Sequence, residues 1–313
     1  MNCSICNSES EIITSLHDDR YGYSGTYPLR ACLICGHAFL DAHFSQADLN
    51  TLYSTYYPRS AFSLESYQPH YEASGFSAWL NGVSASAFRW VPKNVRVLDI
   101  GCGFGETLGY HQARGCDVYG VEADQNIKRV AEKFGYKVHV GLFDPKRYES
   151  AFFDYVTMDQ VLEHVQNPIS VLQGVAQVLK PDGHLIVSVP NAKGWGAWLF
   201  GRYWINWHAP YHLQFFSESS MQIAAEKSGF RIERSFTITS SSWLHYQWVH
   251  LLTYPDEGVP SKFWAQKGTY SFSQKVGVKF LSVAHRLKIN HVLTRIFDAL
   301  DLGDSRLYIL RKI

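Results

Sequence analysis

Two hydrophobic periods alternate along the chain from residue 95 onward. VRVLDI, DVYGVE, YKVHV, FDYVTM and GHLIVSVP are short apolar or alternating runs of strand length. Between them ADQNIKRVAEKFG and ISVLQGVAQVLKPDG carry apolar residues at helical spacing, and Pro181-Asp182-Gly183 is expected to end the second helix. Strands alternating with helices predict an α/β fold with a doubly wound, mainly parallel sheet. Right-handed crossovers then bring the strand C-termini to one edge, where ligands bind. Upstream, FSAWLNGVSASAFRW repeats its apolar positions at helical spacing up to Pro92 and Lys93. The pattern divides the chain into a module at 1–45, a helical linker at 46–93, a core at 94–240, and an insertion with a closing strand at 241–313.

The front module is defined by cysteines. CSIC (Cys3, Cys6) and CLIC (Cys32, Cys35) each present two thiolates from one tight turn, and two such turns close a tetrahedron around zinc. Gly36 follows the second pair where a turn tolerates positive φ, and Gly22 and Gly25 suit a small hairpin between the pairs. Four thiolates leave His37 no vacancy and leave no open position for substrate, so the expected zinc is structural. Cys102 and Cys116 read as packing residues.

Composition narrows the function classes. Hydrophobic residues make up 46% of 313 and charged residues 18%, enough apolar surface for a large core. A formal charge of +1 argues against a surface that grips many phosphates of a nucleic acid. No secretory pattern precedes Cys3, and the most apolar tract, SSWLHYQWVHLLTY, is interrupted by His245, Gln247 and His250. A reducing cytoplasmic setting with free thiols is therefore expected. Aromatics reach 15%, concentrated after residue 195, and suit either a ring-lined pocket or an aromatic core.

The glycine turn selects a cofactor. Gly101, Gly103 and Gly105 form GxGxG with Glu at position 106, neither the dinucleotide pattern GxGxxG nor a P-loop with its lysine. A cofactor without phosphates fits better. VLDIGCGFGETL resembles the first motif of class I S-adenosylmethionine-dependent methyltransferases. The resemblance implies a seven-stranded Rossmann-like sheet, a glycine loop passing under the cofactor, and Asp99 in the motif's acidic position. It implies that Glu122, ending the second strand, accepts both ribose hydroxyls. In GLFDPKRYESAFFDYV it leaves Leu142 and Phe143 to flank adenine, with Asp144 as a displaced acidic candidate. VTMDQVLEHVQNP, KPDGHLIVSVPN, HLQFFSESSMQIAAEKSGFRIE and LGDSRLYILRK are similar to later segments of the family, the last being its antiparallel closing strand. With the cysteine module, the chain resembles bacterial sugar C-methyltransferases and related enzymes of polysaccharide and natural-product pathways.

Methyl transfer requires an acceptor held in line with the S–CH₃ bond, and a base where the acceptor must lose a proton. Glu163-His164, after the fourth strand, is the first candidate, with helix capping and packing as the alternative. The second is WHAPYHLQFF, residues 207–216, in the long connection after the fifth strand. There His208 and His212 are candidates for acceptor binding or proton removal, and Trp195, Trp198, Tyr203, Trp204 and Trp207 for stacking walls. A metal role for that histidine pair lacks a third ligand, and Pro210 opposes a helix that would align it. Tyr53, Tyr56 and Tyr57 are a third group that would close over the cofactor or simply pack. The expectation is a methyltransferase acting on a small polar acceptor, a nucleotide-linked or glycan sugar. The alternatives are an RNA methyltransferase and a non-catalytic binding or scaffold protein that keeps the cofactor fold.

Overall fold

The computed structural model describes residues 1–56, 63–265 and 268–313. In chain order it contains β1 (Ser10–His17), β2 (Thr26–Cys32), β3 (Ala38–Leu40), α1 (Gln46–Thr51), α2 (Gly75–Asn81), β4 (Arg96–Ile100), α3 (Glu106–Ala113), β5 (Asp117–Glu122), α4 (Ile127–Phe134) and β6 (Lys137–Val140). There follow β7 (Phe153–Asp159), α5 (Pro168–Val178), β8 (Leu179–Pro190), α6 (Trp195–Phe200), β9 (Gln214–Phe215), α7 (Glu218–Lys227), β10 (Phe230–Thr237), α8 (Ser241–Leu252), α9 (Phe272–Arg286), α10 (Ile289–Ala299) and β11 (Ser305–Lys312).

The main sheet has the order β10-β11-β8-β7-β4-β5-β6. Strands β8, β7, β4, β5 and β6 run parallel, and β11 is antiparallel to both β10 and β8. The parallel strands are covered on both faces, which is why β4 is buried from Val97 to Ile100, with Asp99 the one charged residue in that stretch. The C-terminal ends of β4, β5 and β7 and the start of β11 meet at one edge, so the glycine loop, Glu122, Gln160 and Ser305 share it.

Three local expectations change. Helix α5 ends at Val178, before Pro181, and Leu179 already pairs with Phe153 of β7. Proline offers no amide hydrogen and disfavours α geometry in the residue before it, so the helix stops early. The apolar run from Phe76 to Trp90 is not one helix. Gly82 ends α2 at φ 69, and a Cβ there would lie 2.0 Å from the Thr239 carbonyl oxygen, after which the chain continues as short 3₁₀ turns. Trp195, Trp204 and Trp207 are not pocket walls: they are buried in a core with Leu29, Leu40, Phe215 and Leu244, while Trp198 is exposed.

That core joins the front hairpin to the rest of the chain. β1, β2 and β3 form a second sheet whose fourth strand is β9, with Ala38 opposite Phe215 and Phe39 opposite Gln214. The segment 207–216 therefore completes the cysteine module's own sheet. Helices α8, α9 and α10 lie between β10 and β11, and Phe297 of α10 stacks on Trp195 at 4.3 Å. Among the described residues, no helix is long and apolar enough to cross a membrane.

Candidate active site and cysteine cluster

The glycine loop connects β4 to α3 with Gly101, Gly103 and Gly105 all at positive φ (78°, 56° and 85°), a path open to glycine and costly to other residues. A Cβ on Gly101 would come within 2.4 Å of Val161, so the loop lies directly against the segment after β7. A Cβ on Gly103 would meet nothing nearer than Glu106 at 4.0 Å, which leaves that backbone open to a ligand. Glu122 holds the loop from the end of β5: Gly103 N–H donates to Oε2 at 3.0 Å and Asp124 N–H to Oε1 at 2.8 Å. Each carboxylate oxygen retains acceptor capacity for a ribose hydroxyl. The open backbone at Gly103 beside this carboxylate fits S-adenosylmethionine.

Asp99 lies beneath the loop, fully buried. It accepts hydrogen bonds from the Thr107 hydroxyl of α3 and, at 2.6 Å, from Thr157 of β7, tying three elements together. Burial pushes its pKa up to about 7. Tyr67, which the sequence pattern did not single out, donates to the Gly105 carbonyl at 2.8 Å and meets the Tyr136 hydroxyl at 3.0 Å.

The segment after β6 divides its residues differently from the expectation. Leu142 is 82% exposed and presents its apolar face outward. Phe143 turns inward, stacked on Tyr148 and close to Gly174 of α5. Asp144 caps the 3₁₀ turn Pro145–Arg147, accepting from Lys146 N–H at 3.0 Å. Tyr56 packs edge-on against Tyr23 at 5.1 Å; Tyr57 and the Tyr53 side chain fall outside the described residues.

A cavity of about 190 Å³ opens at the strand edge between β7 and β11, lined by Ser86, Asp159, Gln160, Asn206, Thr239, Ser240, Asp304 and Ser305, with Ala85 and Trp243 as its apolar members. Ser188 donates to Asp159, Gln160 reaches Ser188 at 3.2 Å, and Asp304 accepts from Gly196 N–H at 2.8 Å. Burial raises the pKa of both aspartates, that of Asp304 to about 7.

The Glu163-His164 pair sits on the 3₁₀ turn Leu162–His164 just after β7, and residues 208–213 fold back onto it. His164 Nδ1 is 2.9 Å from the Tyr211 carbonyl oxygen, and Leu213 N–H donates to the Glu163 carbonyl at 2.7 Å. His212 Nδ1 is 2.8 Å from the Asn206 carbonyl oxygen. Pro210 does exclude a helix here: Tyr211 and His212 instead turn back on the His208 carbonyl, with the Ala209–Pro210 bond cis. The His212 ring packs against both His164 (4.6 Å) and His208 (4.8 Å). Burial lowers the pKa of His164 to about 4 and those of His208 and His212 well below the usual histidine value, so all three are neutral near pH 7. Glu163 is fully buried and raised to about 8 by the same cause. The third ligand that the His208–His212 pair lacked in sequence is present in space, but on His212: Glu163, His164 and His212 bring their donor atoms within 4.8 Å of one another.

The cysteine module brings its four sulfurs within 4.8 Å of one another, with Cys3 Sγ 3.7 Å from Cys35 Sγ and Cys6 Sγ 3.3 Å from Cys32 Sγ. Zn–S bonds of about 2.3 Å place thiolates about 3.8 Å apart around a tetrahedron, so this donor set fits zinc. Gly36 adopts φ 66, and His37 is engaged elsewhere, its Nε2 2.9 Å from Gln214 Oε1.

Six strands running one way, one antiparallel strand (β11) second from the sheet edge and a glycine loop beside an acidic strand end define a class I, Rossmann-like methyltransferase fold. The family profile described as a methyltransferase domain matches residues 71–235, more than half of the chain, and the chain belongs to that family. Among characterised relatives, it is 33% identical over 109 residues to the ubiquinone biosynthesis O-methyltransferase of Yersinia enterocolitica, covering 32% of this chain and 45% of that protein. It is 31% identical over 133 residues to the protein of the same name from Aromatoleum aromaticum, covering 39% and 56%. The match thus spans about half the length of these relatives. A solved structure, the 1,6-didemethyltoxoflavin-N1-methyltransferase of Burkholderia thailandensis, superposes with a TM-score of 0.49 at 16% identity over 90% of this chain and 97% of that one.

Proposed function

We propose that the chain is an S-adenosylmethionine-dependent methyltransferase acting on a small, hydroxyl-rich acceptor, a nucleotide-linked or glycan sugar. The observation that carries the acceptor class is the cavity at the strand edge. Eight of its ten lining residues bear hydroxyl, amide or carboxylate groups, which offer hydrogen-bond partners to a polyhydroxylated molecule, while Ala85 and Trp243 supply apolar wall for its ring faces. The O-methyltransferase names of the matched relatives support oxygen as the accepting atom. An RNA substrate is disfavoured by the net charge of +1.

In this reading the loop of Gly101, Gly103 and Gly105 passes under the cofactor, Glu122 accepts its ribose hydroxyls, Asp99 braces the loop, and the segment Leu142, Phe143 and Asp144 borders the adenine, with Leu142 supplying the exposed apolar face. S-adenosylmethionine contributes a methyl group activated on a sulfonium. The chain's own residues orient the acceptor: Asp159 and Gln160 at the end of β7 and Asn206 hold its hydroxyls beside the glycine loop. The cluster of Glu163, His164, His208 and His212 promotes loss of the acceptor proton, a task open to neutral imidazoles and closed to imidazolium. The four thiolates of Cys3, Cys6, Cys32 and Cys35 hold a structural zinc that fixes the front sheet.

The test is cofactor titration followed by methyl transfer to a panel of nucleotide sugars, with RNA alongside. Glu122→Ala removes two charge-assisted acceptors and is expected to weaken cofactor binding by about 100-fold, roughly 3 kcal/mol. Unchanged binding in that variant would overturn the cofactor site. Transfer to RNA and to no sugar would overturn the acceptor class.

A further inference from the structure

A buried carboxylate with no partner needs a physical account, because an unsatisfied ionisable group in a protein interior is costly. Glu163 is such a group. It is fully buried, no other described residue donates a hydrogen bond to either oxygen, and it forms no ion pair among the described residues. Asp99, equally buried, receives two hydroxyl donors. The groups facing Glu163 are instead two imidazoles.

The orientation of those imidazoles is fixed by backbone. A carbonyl oxygen only accepts, so the Nδ1 atoms of His164 and His212, held by the carbonyls of Tyr211 and Asn206, both carry hydrogen. In each neutral ring Nε2 is then the lone-pair nitrogen left for a ligand. A histidine whose distal N–H is anchored on a carbonyl while its other nitrogen points to a shared centre is the usual second-shell arrangement of a metal ligand. Two rings anchored in this way and a carboxylate, each with a candidate donor atom within 4.8 Å of the others, make a three-ligand set with coordination positions left over.

We propose that Glu163, His164 and His212 bind one divalent first-row transition-metal ion, at a site separate from the four-cysteine cluster. The ion supplies the positive charge that the Glu163 carboxylate lacks, and its open positions accept an oxygen ligand. Asn206, whose carbonyl anchors His212, also lines the hydroxyl-bearing cavity, so an acceptor oxygen bound to the ion would lie next to the polar pocket. The donor set is oxygen and nitrogen, in contrast to the thiolates, so the two sites differ in the ions they favour. The ligand set stands whether or not the chain transfers methyl groups, and its test reads metal rather than turnover.

The full-length protein is loaded with excess Zn(II), freed of loosely bound ion by gel filtration, and analysed for metal per chain. Wild type is expected to carry one more ion per chain than His212→Ala and Glu163→Gln. Mn(II), which thiolates take poorly, is titrated in parallel by electron paramagnetic resonance; one saturable ion per wild-type chain is expected, with affinity lowered at least about 10-fold in each variant. Glu163→Gln keeps the side-chain shape, and cooperative thermal unfolding checks that it folds. Equal metal content in wild type and in a folded variant would overturn the site. So would a folded wild type that takes up neither the extra zinc nor Mn(II), a result that needs no variant at all.

Discussion

Among the described residues there are two constellations of metal-ligand type, and they are built in opposite ways. The cysteine cluster is nearly local. Its four thiolates come from two tight turns within the first 35 residues, the β1–β2 hairpin brings the turns together, and Gly36 at φ 66 closes the second. The Glu163, His164 and His212 cluster is assembled across some fifty residues of chain, from the turn after β7 and from the loop of 208–213 that folds onto it. The difference teaches what a spacing can encode. A CxxC pair fixes two donors by its own turn, whereas His212 becomes a neighbour of Glu163 only because Leu213 N–H donates to the Glu163 carbonyl and the His164 ring donates from Nδ1 to the Tyr211 carbonyl. The two regions also share one physical element, β9, which pairs with β3 of the cysteine sheet and directly follows the loop carrying His212.

The largest expected effect comes from breaking the local cluster. Cys32→Ser removes one ligand of the proposed zinc and leaves three thiols crowded in a buried site. Structural zinc contributes on the order of 10 kcal/mol to the folding of small zinc modules, and loss of one ligand here is expected to lower unfolding stability by about 4 kcal/mol or more. Zinc content and urea unfolding of the reduced protein check this. A zinc-free wild type as stable as the zinc-loaded one would show that the cysteines merely pack.

A pH experiment sharpens the contrast between satisfied and unsatisfied buried carboxylates. Burial raises Asp99 from 3.8 to about 7 in the folded protein despite its two hydroxyl donors. Between pH 3.8 and 7 the native state therefore holds a proton that the unfolded chain has released, so stability falls as pH rises through that window and levels off above it. The slope for one group is at most about 1.4 kcal/mol per pH unit. Asp99→Asn removes it, and between pH 5 and 7 wild type should lose about 2 kcal/mol more than the variant. Identical slopes in urea unfolding at the two pH values would mean that Asp99 is already ionised in the fold.

Legibility in the sequence followed the same divide. The alternation of strands and helices was readable because each parallel strand is a short apolar run and GxGxG marks the turn after the first. DVYGVE is β5 residue for residue, and the closing strand runs antiparallel as expected. The cysteine cluster was readable from spacing. What was hidden depends on tertiary packing. By pattern Pro181 in KPDG is the helix end itself, but its effect reaches back along the chain, and the pairing of Leu179 with Phe153 is a tertiary contact that the sequence pattern does not encode. Trp195, Trp204 and Trp207 offered equal support to a pocket and a core, and the contacts with β2 and β3 decided for the core. His212 was weighed with His208 because they are four apart, although its nearest acidic neighbour lies in another segment. Phe143 was paired with Leu142 by adjacency, yet consecutive residues in an extended segment face opposite ways, and only one of them remains at the surface.

The smallest effect tests the seam between the two regions. Gln214 of β9 is buried, and its Oε1 accepts from His37 Nε2–H of the front sheet at 2.9 Å, while burial lowers the His37 pKa to about 4 and keeps the ring neutral. Gln214→Ala strands that buried N–H without an acceptor, at a cost of about 1–2 kcal/mol. The backbone pairing of Ala38 with Phe215 and Phe39 with Gln214 remains, so the sheet should weaken without coming apart. Thiol accessibility reports unfolding of the cysteine cluster, and tryptophan fluorescence reports the core of Trp195, Trp204 and Trp207. In wild type the two signals should change at one urea concentration, since β9 belongs to both regions, and in Gln214→Ala they should shift together to lower urea. Separate transitions in wild type would make the front sheet an independent unit. His212 would then owe its position to the main sheet alone, and cysteine substitutions would leave the buried glutamate–histidine cluster undisturbed.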